Sequence, residues 1–313
     1  MRGLNVVRQA ARLALAGVAA VVMQTAQAAT VAVTADLTSP FAEDQDQLSG
    51  QGFVESAYAR AEAGYGFGKF VANATVDWDI QPGAFAGTRN STASAMASYI
   101  DNLTITSNAA TAGDLGVLWF DVLVTFDSVF AEAVRGTNVS NVGAVSFSSY
   151  WDSYAFGGIH TQGDYCHIYE GNYVNPGLSC SFSNLVEVAP GSYEARARYG
   201  LGFVFEVGFD LGMRTQAVVN AAVGLQAADS GGYADMLFDA GNSIYWDGIA
   251  EVTLNGQSVP YTIVSRSGSD YRGSFAPSSQ PVPEPSSILL VAVALGLLLR
   301  STGKNYRSLM TFR

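Results

Sequence analysis

Histidine, cysteine and lysine are nearly absent from this chain of 313 residues: His160 and His167, Cys166 and Cys180, Lys69 and Lys304 are the full set. With both histidines in one short stretch a Ser-His-Asp triad has little to assemble from, and no Gly-x-Ser-x-Gly elbow occurs. Charge is scarce, at 14% of residues, and positive charge is the scarcer sign. Between Ala29 and Val282 there are 26 acidic and 9 basic side chains, a net charge near −17 against −11 for the whole chain. Such a surface repels nucleic acid, which excludes that class of partner. The acids also lack the ligand order of an EF-hand; a scattered Ca²⁺ site stays open beside the simpler reading of a solvated face. The Gly-x-Gly pieces lack the third glycine and following helix of a nucleotide fingerprint.

Leucine-rich helical patterning is missing too, and what replaces it is alternation with period two. Leu118, Phe120, Val122, Val124 and Phe126 share one face of a strand; Phe70, Ala72, Ala74, Val76 and Trp78 share another, opposite Lys69, Asn73, Thr75 and Asp77. Over Arg198–Gly208 the shared set is Tyr199, Leu201, Phe203, Phe205 and Val207. Half-buried strands of this kind predict a single all-β domain, an antiparallel β-sandwich or jelly roll, over residues 29–271. Ala59–Phe67 and Ala195–Phe203 share an Ala-Arg-Ala start and a Gly-x-Gly-Phe end. A duplicated strand unit and a compositional coincidence both explain this.

The two ends are different in kind. Residues 1–28 read as a signal peptide: Arg2, Arg8 and Arg12, an apolar Leu13–Met23, and a small-x-small site at Ala26-Gln27-Ala28, so that the mature chain starts at Ala29. An amphipathic first helix is the competing reading. Residues 272–281 are an extended linker rich in Ser, Gly and Pro. From Val282, two prolines form an elbow before an apolar run, 286–299, and a tail with Arg300, Lys304, Arg307 and Arg313. As a helix the run is about 21 Å long, short against a hydrocarbon core of about 30 Å. A buried core helix is the alternative, but the position beyond a linker and the basic end favour a membrane-engaging tail with the body outside.

Val282-Pro283-Glu284-Pro285, the apolar helix and the basic end together resemble the PEP-CTERM sorting signal of exported Gram-negative proteins. Such tails are sometimes labelled an ice-binding protein C-terminal domain, which concerns the tail and implies nothing for the body. The resemblance implies that an exosortase, a membrane protease-transpeptidase, recognises Pro283, Glu284 and Pro285. It further implies transient anchoring in the inner membrane, delivery to the cell surface or outside, and a link to exopolysaccharide. Segments 95–105 and 113–126 also resemble that family's recurring pattern of a small-residue strand, an Asp-anchored turn and a long β strand, and 244–271 resembles its last body strands; those bodies carry no assigned activity.

In an exported chain Cys166 and Cys180, fourteen positions apart, most simply form one disulfide. The alternative is a metal set of His160, Cys166, His167 and Cys180, whose spacing fits no standard zinc pattern. Around them crowd Tyr150, Trp151, Tyr154, Phe156, Tyr165, Tyr169 and Tyr173, mixed with Asp152, Asp164 and Asn172. Exposed rings beside amides and carboxylates make a glycan-binding face, with Tyr150, Trp151, Tyr154, Tyr165, Tyr169 and Tyr173 as its residues; rings packed beneath a stapled loop are the alternative. Asp77/Asp79 and Asp44/Asp46 are the carboxylate pairs a glycosidase or Ca²⁺ site would need, or plain surface acids. Asn73, Asn90, Asn102 and Asn138 head Asn-x-Ser/Thr triplets and suggest exposed loops. The expectation is a non-enzymatic surface or matrix protein with no catalytic residues and no cofactor; the alternative is an extracellular carbohydrate-active hydrolase.

Overall fold

The computed structural model describes residues 28–276 apart from 51, 81–85, 156–157, 173 and 227–229. The expected signal peptide up to residue 27, the expected helix over 286–299, the motif Pro283, Glu284 and Pro285, and the residues Phe156 and Tyr173 lie outside the described residues. Among the described residues there are fifteen strands and no helix. They are β1 (Ala29–Ala35), β2 (Phe41–Gly50), β3 (Phe53–Gly64), β4 (Phe67–Asp79), β5 (Gly87–Thr106), β6 (Leu115–Arg135), β7 (Val139–Ala155), β8 (Gly158–Glu170), β9 (Gly177–Cys180), β10 (Val186–Ala189), β11 (Ser192–Val204), β12 (Phe209–Leu225), β13 (Gly231–Leu254), β14 (Gln257–Ser258) and β15 (Thr262–Ser265).

Two sheets result. Sheet A runs β1-β5-β12-β7-β8-β9 with β15 also on β5; sheet B runs β10-β11-β6-β13-β4-β3-β2 with β14 on β13. All pairings are antiparallel except β1 on β5, where Ala29 lies opposite Ser91 and Ala35 opposite Ala97. The strands follow the alternation in the sequence: Leu118, Phe120, Val122, Val124 and Phe126 are all buried, as are Phe70, Ala72, Ala74, Val76 and Trp78. Each such face turns toward the other sheet, because half-apolar strands can bury that half only against a second apolar layer.

The shared core is uneven. Ala57, Ala59, Ala61, Ala72 and Ala74 of sheet B meet Ala93, Ala95, Ala97, Ala217 and Ala221 of sheet A, all buried. Backbones approach closely there: a Cβ on Gly68 would stand 2.8 Å from Thr215 Cγ2 and 3.2 Å from Ala97 Cβ in the facing sheet. Elsewhere large rings fill the gap. Trp151 of β7 lies 5.3 Å from Phe120 and 5.7 Å from Trp246, which stack on one another at 4.3 Å. Trp246 donates its indole N–H to the Tyr271 carbonyl at 2.6 Å, and Tyr271 is itself fully buried. Phe275 still packs on this core, so residues within the linker stretch 272–281 take part in it.

Several expectations are corrected by the register. Segments 59–67 and 195–203 are not equivalent: Tyr65 and Gly66 make the hairpin between β3 and β4, whereas Tyr199–Phe203 continue one strand. The Asp-anchored turn lies between β5 and β6, where Asp114 accepts Thr111 N at 2.8 Å, while Asp101 sits inside the twenty-residue β5 with its carboxylate buried. There it accepts Ser267 Oγ at 2.5 Å and Ser267 N at 3.2 Å, anchoring the chain after β15. Asn73, Asn90 and Asn102 lie on strands; only Asn138 is in a turn, with φ 58°. Val207 leaves the buried face because β11 ends at Val204 and the chain turns through Glu206 at φ 65°.

Candidate functional site

The aromatic stretch forms the hairpin partners β7 and β8, with Tyr154 opposite Ile159, Tyr150 opposite Gly163, Ser148 opposite Tyr165 and Ala144 opposite Tyr169. Since side chains alternate across a strand, these residues share the face of sheet A that looks away from the core. Tyr154, Tyr165 and Tyr169 are 43%, 47% and 47% exposed, enough ring surface to meet a ligand. Tyr150 is half-buried because its ring lies across Gly163, where a Cβ would come within 2.5 Å of Tyr150 Cδ1. Glycine at 163 thus lets a tyrosine lie flat on the sheet. The Arg214 guanidinium of β12 stands 5.7 Å from the same ring.

Beside these rings the face is made of short polar side chains. Asp152 accepts Thr161 Oγ1 at 2.6 Å, and Asn102 donates to Asp210 at 2.9 Å. Tyr165 and His167 rings lie 5.4 Å apart on β8, forming a ridge that Tyr169 extends. The ridge stands next to Ser148, Ser146 and Ala144 of β7, then Gln216, Val218 and Asn220 of β12. Asn220 in turn accepts Thr92 Oγ1 at 2.8 Å. The result is a row of exposed rings beside a strip of mostly hydroxyl and amide side chains, interrupted by Ala144 and Val218.

Trp151 does not belong to it. The residue is fully buried, and its parity with Val145 and Phe147 sends it into the core while Tyr150 and Tyr154 go out. Asp164 is also withdrawn: it accepts Tyr199 Oη of sheet B at 2.7 Å and Ser181 Oγ at 2.6 Å, tying the two sheets at their edge. Burial, and then this carboxylate, push the Tyr199 phenol above its ordinary range. Asn172 is consumed by the backbone, accepting Asn141 N at 2.7 Å and donating to the Val139 carbonyl at 3.1 Å.

Cys166 and Cys180 are bonded, S–S 2.00 Å, from directly opposed positions on β8 and β9. The bridge removes both thiols from any metal set. His160 and His167, seven strand residues and about 23 Å apart, cannot meet at one ion. Among the described residues no three His, Cys, Asp or Glu side chains are grouped to hold a metal. Asp77 and Asp79 do converge, but onto Arg135, whose Nη2 and Nε lie 2.5 Å and 2.9 Å from their oxygens. Asp44 and Asp46 stand on the exposed edge strand β2, where Asp46 accepts Thr30 N at 3.1 Å.

One charged group carries no motif in the sequence. Glu55 of β3 is 1% exposed; it accepts Arg89 Nη1 at 3.1 Å and Ala29 N at 3.2 Å. Arg89 is held over the Phe53 ring at 3.3 Å. The signal was available, since Glu55 shares parity with Ala57, Ala59 and Ala61.

No protein-family model matches the chain, and no curated protein or solved structure matches it.

Proposed function

We propose that this is an exported, non-enzymatic protein of the cell surface or extracellular matrix that binds polysaccharide on the outer face of sheet A. In this reading an exosortase sorts it through Pro283, Glu284 and Pro285, with transient anchoring of the tail in the inner membrane. The carrying observation is that one strand parity presents Tyr150, Tyr154, Tyr165 and Tyr169 together beside Ser148, Asp152, Thr161 and Asn220. Flat apolar rings next to hydroxyls and amides match the two faces of a pyranose, apolar C–H and polar O–H. The Cys166–Cys180 bridge fits an oxidising compartment. Against the hydrolase alternative stands Arg135, which lies between Asp77 and Asp79 and pairs with both, occupying the space a substrate would need.

Glycan arrays and soluble polysaccharides test the proposal directly. The exported protein should bind without releasing reducing ends, and Tyr154→Ala, Tyr165→Ala and Tyr169→Ala together should abolish binding while leaving the fold intact. Reducing-end release that disappears in Asp77→Asn would overturn it in favour of the hydrolase. Sorting has its own test: alanine at 283, 284 and 285 should leave an unprocessed, membrane-retained precursor.

A further inference from the structure

We infer that Glu55 is the built-in counter-ion for a new N-terminus: once the leader is cut between Ala28 and Ala29, the freed α-ammonium of Ala29 pairs with Glu55 and locks β1 onto sheet A. This rests on the export reading, which supplies the cut. Hydrolysis adds one water across the Ala28–Ala29 amide; the leader leaves with the carboxyl group, and the Ala29 nitrogen takes up protons to become –NH₃⁺. The cut is made on the unfolded chain, so burial of Ala29 in the folded state is no obstacle.

The geometry is specific to that nitrogen. Ala29 is fully buried, while Ala28 before it is half-exposed. In the uncut chain Ala29 N–H already donates to Glu55 Oε2 at 3.2 Å, and the other carboxylate oxygen takes Arg89 at 3.1 Å. Arg89 compensates the charge through one oxygen, while the other takes only a neutral amide; an ammonium in the same place makes that second bond charge-assisted too. The charged groups around the position are Glu55, Arg89 and Asp46, the last accepting Thr30 N. Converting the amide to an ammonium therefore adds one cation to a site with two carboxylates and one guanidinium. The first residue is held from its carbonyl side too, since Ser91 Oγ lies 3.4 Å from Ala29 O and 2.6 Å from Ser56 O. As β1 is an edge strand held by β5 alone within its sheet, this end contact adds to a ladder of seven residues and to the burial of Ala29, Val31, Val33 and Ala35.

N-terminal sequencing of the exported protein comes first. A start at Ala29 is expected; any other start overturns the cleavage reading and the inference with it. A double-mutant cycle then tests the pairing alone. The exported protein is unfolded, N-acetylated and refolded, in chains carrying Glu55 and Glu55→Gln, and the folding equilibrium of all four forms is measured in urea. Blocking the amine should lower the folding constant by about tenfold or more with Glu55, the scale of a hydrogen bond to a charged group, and hardly at all in the Glu55→Gln chain. Acetylation of Lys69, and of Lys304 in any chain that keeps its tail, cancels in the cycle. An equal effect in both backgrounds, or none with Glu55, overturns the pairing while leaving export intact. Should Glu55→Gln alone not fold because Arg89 is unpaired, Glu55→Gln with Arg89→Met serves as the neutral background, with the same outcomes.

Discussion

Inward and outward residues of β7 should respond to truncation very differently, and Trp151 gives the larger effect. Its side chain is fully buried between Phe120, Trp246 and Tyr99, with ring centroids 5.3 Å, 5.7 Å and 6.1 Å away. Trp151→Ala leaves a cavity among rigid rings that cannot collapse, which places the cost at the aromatic end of core truncations, about 3–5 kcal/mol. For a body of this size each kcal/mol is worth about 2–4 °C in Tm, so a fall of about 6–20 °C is expected. The indole Nε1 has no hydrogen-bond partner, so Trp151→Phe forfeits volume and no bond and should cost less than half as much. Tyr154→Ala, three positions on and facing solvent, should stay within about 0.5 kcal/mol. Urea titrations followed by circular dichroism measure all three. A Trp151→Ala cost below about 1 kcal/mol, or a Tyr154→Ala cost equal to it, would refute the assignment of faces on which the glycan site depends.

Three further outcomes follow from the same geometry. Reduction of Cys166–Cys180, or Cys166→Ser with Cys180→Ser, should cost about 3 kcal/mol through the loop it closes, and free-thiol labelling of the native protein should find neither residue. Burial pushes the phenols of Tyr99, Tyr271 and Tyr199 above their ordinary value of 10.0. With folded values raised, their contribution is complete below pH 10 and is lost above it as only the unfolded chain ionises. Three protons give a slope approaching 4 kcal/mol per pH unit well above pH 10, roughly 1.4 for each phenol; Tyr99→Phe should flatten it in alkaline unfolding experiments. Glycan affinity should change by less than about threefold between low and physiological salt, because a neutral ligand gains nothing from counter-ion screening; a steep salt dependence in binding titrations would point to an anionic polysaccharide.

Strand parity was legible in the sequence wherever one face was uniformly apolar, as in Val117–Phe126 and Phe70–Trp78. It failed at Ser149–Ala155 for a physical reason. There the inward set is Ser149, Trp151, Ser153 and Ala155, all buried, and the outward set contains two tyrosines. Local composition therefore points the wrong way. Register is imposed by Val145 and Phe147 upstream, and Ser153 tolerates burial by donating to the Gly202 carbonyl at 2.8 Å. Four of the six proposed glycan-face residues nonetheless share the outer face, because Tyr150 and Tyr154 have one parity and Tyr165 and Tyr169 pair across from it. The Ala-Arg-Ala repeat failed because a hairpin and a continuous strand differ in the conformation of Gly66, at φ 76°, and not in composition. Pairing of β1 parallel to β5 and the closure of Glu55 over Ala29 depend on contacts 62 and 26 residues apart, beyond any local pattern.

The acidity of the body has a location that the composition hides. On sheet B the outer face carries Asp77 and Asp79 with Arg135, Asp121 with Arg198, Asp247 with Arg196, and Asp235 held by Asn73 and Thr75. The outward rows of β5, β12 and β7 on sheet A are instead mostly Ser, Thr, Asn and Gln, with Asp152, Asp210 and Arg214 gathered near Tyr150 and Tyr154. Concentrating acid on one sheet supplies net charge that favours solubility and leaves the other sheet with few acids, Asp152 and Asp210 among them. It also explains why rings can stay exposed there: hydroxyls and amides lie beside them, so the tyrosines are not forced together into a sticky patch. The difference in charge between the two outer faces is set by which parity of each strand carries charged side chains, a property legible along the strands.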